Sequence, residues 1–192
     1  TNEGYHVAYR FSSDGVNDDA VLWSSADSWQ LGGENRFRHR GTKYFLPSED
    51  EWYKAAYYDP INGLYYNYPT GSDVAPTPVS SGTTSGTAVY LDGVEQTVVY
   101  AAGGLSPYGT MGQGGNVWEW MESEIDGVND QTSSSRTIRG GAYGSDANAI
   151  SVEARLSKSP TLTHLTDGTG FRVAKNPFAT VHIDYEKEFV VV

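Results

Sequence analysis

The clearest helical pattern lies in residues 48–59. Ser48 and Glu51 have the spacing of a capping box, in which each side chain bonds the backbone N–H of the other residue. The first turn is acidic, which suits the positive end of the helix dipole. Three apolar residues then recur at helical spacing and form one face: Trp52, Ala55 and Ala56. The pattern predicts a helix that begins after Ser48 and ends at Asp59-Pro60.

The remaining apolar residues lie mostly in short extended segments. Segments 88–91 and 97–100 flank Asp92-Gly93 and predict a hairpin, while 136–139 and 170–174 predict further strands. Residues 17–19 resemble a helix cap and predict a short helix over 20–29. The chain ends in two segments of β propensity, 180–184 and 189–192. We therefore predict one α+β domain over 1–192, with few short helices and strands and much irregular coil.

Composition excludes several classes of protein. The chain has 13 Lys and Arg residues against 24 Asp and Glu, and its net charge of −11 repels nucleic-acid phosphates. No apolar stretch approaches the roughly 18 residues that a membrane-spanning helix needs. Cysteine is absent, which excludes disulfides, thiolate metal sites and cysteine nucleophiles within these residues. The sequence starts at Thr1 without a basic-then-apolar leader, and this leaves export and compartment open.

The most informative segment for chemistry is the glycine-rich run at 112–120. Its glycines allow backbone carbonyls to converge on a hard cation such as Ca²⁺, and Asn116 and Glu119 add polar side chains beside Trp118 and Trp120. The alternative is a structural interpretation, in which a buried tryptophan pair surrounds an amide and a carboxylate that satisfy local backbone donors. The residues by themselves favour the structural interpretation. The four histidines are isolated and offer no local zinc or iron site.

Four sequence blocks resemble the formylglycine-generating enzyme (sulfatase-modifying factor) domain. They occur in the family's order, and they are Leu-Pro-Ser-Glu-x-Glu-Trp-x-x-Ala-Ala at 46–56, Gly-Asn-Val-Trp-Glu-Trp at 115–120, Arg-Gly-Gly-Ala-Tyr at 139–143 and Gly-Phe-Arg-Val at 170–173. The resemblance implies a variant of the C-type lectin fold. It places the matching core at 42–174 and leaves 175–192 as a β-rich extension. Arg139 and Arg172 are then expected to pair with buried carboxylates such as Glu119 or Glu51.

The chain departs from this family at both metal sites. Active members use two cysteines to bind copper, and the corresponding positions here are about Ser145 and Ile150, which are not thiolate ligands. We therefore expect no copper and exclude formylglycine generation by the copper route. The family's calcium site corresponds to the carbonyls of Gly115 and Val117 and the carboxylate of Glu119. Gly112 lacks the side-chain oxygen found there, and we predict a structural Ca²⁺ that raises the melting temperature.

The resemblance also implies an exposed, loop-rich surface over residues 143–169. In some relatives this segment is varied by diversity-generating retroelements, which changes what the protein binds. The function predicted is a non-catalytic binding module for a protein or a small molecule. The alternatives are an enzyme of the same family with non-copper, metal- or cofactor-dependent chemistry, and a structural domain of a larger chain. The side chains expected to contact a ligand are Tyr143, Asp146, Asn148, Glu153, Arg155, His164 and Asp167.

Overall fold

A computed structural model describes residues 6–12, 20–29, 35–91, 95–129, 131–160 and 168–179. The described residues form two compact units. Unit 1 takes those within Thr1–Phe45, Val128–Thr132 and Val173–Val192, and unit 2 takes those within Leu46–Gly127 and Ser133–Arg172. The single domain expected over 1–192 stays a prediction. No helix in the described residues is both long and apolar enough to cross a membrane.

The described elements are mostly very short, as expected for an α+β chain rich in coil. The part of the chain that the structure describes has one α-helix, α1 (Glu49–Tyr57), and one 3-10 turn (Val99–Ala101). In chain order the strands are β1 Arg10–Phe11, β2 Ala20–Val21, β3 Ser28–Trp29, β4 Asn35–His39, β5 Tyr44–Phe45, β6 Tyr58–Asp59, β7 Leu64–Tyr65, β8 Thr77–Pro78, β9 Thr87–Ala88, β10 Trp118–Glu124, β11 Arg136–Arg139, β12 Leu156–Lys158, β13 Thr169–Phe171 and β14 Ala174–Lys175.

Helix α1 confirms the strongest local prediction. The Ser48 N–H donates to Glu51 Oε2 at 2.8 Å, and the Glu51 N–H donates to Ser48 Oγ at 3.2 Å, so both halves of the capping box are present. The helix buries Trp52, Ala56 and Tyr57, which pack with Met121 of β10. This cluster joins the helix to the main sheet of unit 2.

The main sheet of unit 2 has the strand order β12-β11-β10-β13. Strand β10 pairs antiparallel with β11, which sets Glu119 opposite Arg139, and parallel with β13, which sets Glu119 opposite Gly170. The resulting register brings three of the four family blocks to one place. A second apolar cluster forms away from α1, from Ala88, Tyr90 and Ile150.

Unit 1 is built from three two-stranded pairings: β1 with β2, β3 with β4, and β5 with β14. Arg38 of β4 is 1% exposed, and its guanidinium lies 4.6 Å from the Trp29 ring centroid and 4.1 Å from that of Phe45. The buried cation therefore rests between two aromatic faces.

Two local predictions are wrong. Residues 20–29 form β2, a turn and β3 instead of a helix, because Ser24 Oγ bonds both the Asp27 carboxylate (2.7 Å) and the Asp27 N–H (3.2 Å). The hairpin predicted from 88–91 and 97–100 does not form, since Ala88 pairs with Pro78 and bridges Gly103.

Three further strand predictions have different outcomes. The strand predicted at 170–174 is divided between β13 and β14. The segments 180–184 and 189–192 lie outside the described residues.

Candidate functional site

The glycine segment, residues 111–117, is a buried crossing point of the backbone in unit 2. Gly115 has φ +79°, and a Cβ at this position would overlap the carbonyl group of Val89. The Gly115 N–H donates to the Gly140 carbonyl, and the Asn116 N–H donates to the Val89 carbonyl, both at 2.7 Å. The absence of a side chain at 115 is therefore what permits this close approach.

Asn116, the next residue, takes part in the same backbone crossing through its side-chain amide and its backbone carbonyl. It has φ +63°, and its Oδ1 accepts the Thr97 N–H at 2.7 Å while its backbone carbonyl accepts the Tyr143 N–H at 3.0 Å. Its side chain thus satisfies a backbone donor, as the structural interpretation of this segment expected, but Trp118 and Trp120 are half-buried and not the buried pair of that interpretation.

Glu119 and Arg172 form a paired-charge centre beside the glycine segment. Arg172 donates from Nε to Glu119 Oε2 (2.5 Å) and from Nη2 to Oε1 (2.7 Å), and the Trp52 indole N–H also donates to Oε2 (2.5 Å). Both residues are largely covered, with side-chain exposures of 22% for Arg172 and 8% for Glu119. The predicted pairing of Arg172 with Glu119 is confirmed.

The observed contacts of Glu119 do not fit a calcium site that uses its carboxylate. Calcium needs six to eight oxygens, and both Glu119 oxygens already accept strong donors. The described residues also contain no cluster of three or more His, Cys, Asp or Glu side chains placed to hold a metal. The calcium site at Gly115, Val117 and Glu119 stays a prediction.

The residues at the two positions that correspond to copper-binding cysteines have structural roles in this chain. Ile150 is fully buried and packs with Ala88 and Tyr90. The Ser145 hydroxyl accepts the Ala142 N–H at 2.9 Å, and its carbonyl accepts the Leu91 N–H at 2.9 Å. One position is therefore core and the other is a turn cap, so these residues do not fit a copper ion.

A second charged centre lies at Glu49, at the start of α1. Its carboxylate accepts from Arg139 Nε at 2.8 Å, from Arg155 Nε at 2.8 and 2.9 Å, and from Thr137 Oγ1 at 3.2 Å. Burial by itself would raise the pKa of Glu49, but the hydrogen bonds and charges of Arg155 and Arg139 outweigh it and hold the pKa below its ordinary value.

The expected partner of Arg139 was Glu119 or Glu51, and the structure corrects this to Glu49. Glu51 is engaged in the capping box with Ser48, and the Glu119 oxygens are held by Arg172 and Trp52. The acidic first turn was recognised only as a helix-dipole feature. Its role as an anchor for Arg139 and Arg155 had no local signal, because these pairs lie 90 and 106 residues apart.

The predicted binding surface, 143–169, is described at 143–160 and 168–169; its part before β12, residues 143–155, is here called the candidate loop. Besides the Asn116 carbonyl, which accepts the Tyr143 N–H, four groups of the surrounding framework bond its backbone. Two of these groups are side chains: Tyr57 Oη donates to the Ser151 carbonyl (3.0 Å), and Arg139 Nη1 donates to the carbonyls of Val152 (3.0 Å) and Ala154 (2.8 Å). The other two are backbone groups: the Leu91 N–H donates to the Ser145 carbonyl, and the Asn67 carbonyl accepts the Val152 N–H (2.8 Å). Burial raises the pKa of Tyr57, which keeps its hydroxyl protonated as a donor.

The predicted contact residues are placed differently along this loop. Asp146, Asn148 and Glu153 are exposed, and Tyr143 is half-buried. Asp146 Oδ1 accepts the Ala149 N–H at 3.0 Å and so shapes its own turn. Arg155 reaches the surface but is committed to Glu49 and to the Ile125 carbonyl (2.7 Å). His164 and Asp167 lie outside the described residues.

Comparisons with known proteins identify the family of this arrangement. A family model described as the sulfatase-modifying factor enzyme 1-like domain matches residues 17–177. Among solved structures, Treponema denticola variable protein 1 is similar, with a TM-score of 0.56 and 23% identity over 88% of this chain. The chain spans 62% of that protein's length, and the likeness shows a shared fold.

A second solved structure, CarF, has a TM-score of 0.44 and 18% identity, over 72% of this chain and 49% of that chain. A search of curated proteins found no match to this sequence.

Proposed function

The chain belongs to the sulfatase-modifying factor enzyme 1-like domain family, and on that premise we propose that it is a non-catalytic binding module. In this proposal the candidate loop and the rest of residues 143–169 form the surface that binds a protein or a small molecule. The C-type lectin-like architecture of the family would serve as the rigid platform beneath it.

The observation that carries the proposal is how the candidate loop is held. Its backbone is bonded by Tyr57, Arg139, Leu91 and Asn67, none of which belongs to the loop. The exposed side chains of Asn148 and Glu153 therefore stand on a backbone whose shape depends little on them, while Asp146 also caps its own turn. A fixed backbone with exposed polar side chains gives a binding surface that is ordered before the ligand arrives.

The chemistry of the family's copper positions supports binding over oxidation. Copper-dependent formylglycine generation requires two thiolates, and the chain contains no cysteine. Ile150 and Ser145 stabilise the fold where those thiolates would lie. The scaffold is thus retained while the groups that activate oxygen are replaced.

The fold shared with a variable protein supports a finer version of the proposal. We propose that the side chains of this surface differ among related loci, as in proteins diversified by a retroelement. The expected pattern is variation at 146, 148 and 153 with retention of Glu49, Arg139 and Ile150. Sequencing related loci tests this version, and substitutions spread evenly over the whole chain would contradict it.

Binding itself is tested with a matched pair of variants. The loop variant combines Tyr143→Ala, Asn148→Ala and Glu153→Ala, and the control combines Ile61→Ala and Val74→Ala, which are exposed residues elsewhere in unit 2. Each is screened with the wild type on peptide, glycan and small-molecule arrays. A ligand retained by the wild type and the control but lost by the loop variant supports the proposal. Oxidation of a sulfatase-type cysteine peptide to an aldehyde by the purified chain would contradict it.

A further inference from the structure

The guanidinium of Arg172 collects four oxygen contacts at one place. Besides the two Glu119 oxygens, its Nη2 lies 3.2 Å from the Met111 carbonyl oxygen and 3.3 Å from that of Gly112. The acceptors come from two elements, the glycine segment and β10, and Arg172 itself follows β13. A single cationic group therefore joins three parts of unit 2.

These acceptors have the chemistry of a calcium ligand set. Calcium in proteins takes carboxylate oxygens together with backbone carbonyl oxygens, at distances that flexible loops can supply. Here the carboxylate is that of Glu119 and the carbonyls are those of Met111 and Gly112. All of these oxygens accept from the Arg172 guanidinium, which is a cation of the chain itself. A calcium ion in contact with the same oxygens would be repelled by the positive charge of the guanidinium.

We propose that Arg172 takes the place of a divalent cation at the glycine segment, so that the native fold needs no calcium there. Removal of the guanidinium leaves Glu119 and two carbonyls without their cation and creates a site that calcium can fill. The proposal is independent of what the candidate loop binds, since it concerns only the stability of unit 2.

The test compares melting temperatures of the full chain and of Arg172→Met in excess CaCl₂ and in excess EDTA, at matched ionic strength. The wild type is expected to melt at the same temperature in both. In EDTA the variant is expected to melt roughly 10 °C lower, because a largely buried carboxylate has lost its main partner. Calcium at about 100 times its Kd then raises the melting temperature of the variant by roughly 5–10 °C.

Three controls make the result specific. The double variant Arg172→Met/Glu119→Gln has no carboxylate for calcium and is expected to show no calcium response. Arg155→Met removes another ion-paired arginine, one of the two at Glu49, and is also expected to gain no response. Arg172→Lys keeps a cation and is expected to remain insensitive to calcium. If Arg172→Met is unfolded in EDTA, circular dichroism after dialysis into CaCl₂ replaces the melting curve, and recovery of the native spectrum counts as the response.

Two outcomes overturn the proposal. One is a calcium-dependent rise in the melting temperature of the wild type, which would show that a calcium site exists beside Arg172. The other is an Arg172→Met variant that folds or stays unfolded equally with calcium and with EDTA, since the oxygens around Arg172 would then form no cation site.

Discussion

The glycine segment and the candidate loop are both irregular stretches of unit 2, but they are held in opposite ways. Residues 112–116 are buried throughout, and neighbouring backbone approaches them so closely that Gly115 has no room for a side chain. In the candidate loop, Asp146, Asn148 and Glu153 are exposed, and the framework bonds its carbonyls and N–H groups. Close backbone contact distinguishes the first stretch, whereas the second is held by backbone hydrogen bonds to the framework and by the buried side chain of Ile150.

The difference teaches which irregular segments can change their sequence. A segment fixed by close backbone contact constrains the identity of its residues, because an added atom meets a neighbour. A segment fixed through its backbone constrains only its conformation, so its outward side chains can differ from one protein to the next. This contrast is the physical basis for our proposal that the candidate loop binds a ligand.

The largest expected effect is that of Gly115→Ala. The new methyl group would overlap the Val89 carbonyl, and we expect the variant to lose at least about 4 kcal/mol of unfolding free energy. Gly109→Ala is the matched control, because Gly109 has a similar φ of +80° but nothing within 4 Å of the added carbon. The control is expected to cost about 1–2 kcal/mol from backbone strain alone. Urea unfolding measures both, and equal losses would contradict the close-contact explanation.

Glu49→Gln is expected to loosen the candidate loop through its anchor. The change leaves Arg139, which is 7% exposed, without its partly buried carboxylate partner, and we expect a loss of about 3–5 kcal/mol. Asp50→Asn, an exposed acidic neighbour on α1, is expected to stay within about 0.5 kcal/mol of the wild type. Hydrogen exchange at the Val152 amide reports the loop directly, and it should accelerate in Glu49→Gln alone.

The pH dependence of stability gives a second view of the same anchor. The folded-state pKa of Glu49 is held below the ordinary value of 4.5, so its stabilising contribution is complete above that value and is lost as the pH falls through the folded-state pKa. We expect the urea midpoint of the wild type to fall as the pH is lowered below about 4.5. The Glu49→Gln variant should show a shallower fall, and parallel profiles would show that other carboxylates dominate.

Gln113→Met is a substitution in the glycine segment that is expected to raise the unfolding free energy instead of lowering it. Gln113 is 2% exposed, and neither its amide nitrogen nor its amide oxygen has a hydrogen-bond partner among the described residues. Methionine has a similar shape without the polar atoms, and we expect a gain of about 1–2 kcal/mol in unfolding free energy. Chemical denaturation measures the gain. A loss would indicate that the amide is satisfied by buried water in solution.

The sequence predicts the parts of this fold whose causes are local. The capping box of Ser48 and Glu51 involves residues three apart, and helix α1 forms as predicted. The pairing of Arg172 with Glu119 was inferred from family blocks, and it is confirmed. The helix predicted at 20–29 is wrong because the Ser24–Asp27 turn competes locally with the helical hydrogen bonds.

The contacts that anchor the candidate loop cannot be predicted from local sequence patterns. Glu49 meets Arg139 and Arg155 only after the chain has folded, and an acidic helix start is explained just as well by the helix dipole. The hairpin prediction is wrong for the same reason, because Gly103 rather than the nearby 97–100 segment pairs with Ala88. The exposure of Asp146, Asn148 and Glu153 agrees with what the family resemblance implied.

The smallest expected effects are those of Asn148→Ala and Glu153→Ala, and they decide whether the contrast holds. Asn148 bonds Ser151 through its backbone carbonyl, to the N–H at 3.2 Å and to the hydroxyl at 2.7 Å, and alanine keeps that carbonyl. We expect each substitution to change the unfolding free energy by less than about 0.5 kcal/mol. Ile150→Ala, two residues from Asn148, is the contrasting variant and is expected to cost about 2–5 kcal/mol, because Ile150 is fully buried. If Asn148→Ala costs as much as Ile150→Ala in urea unfolding, the side chains of this loop belong to the framework, and a binding surface that can vary must lie elsewhere on the chain.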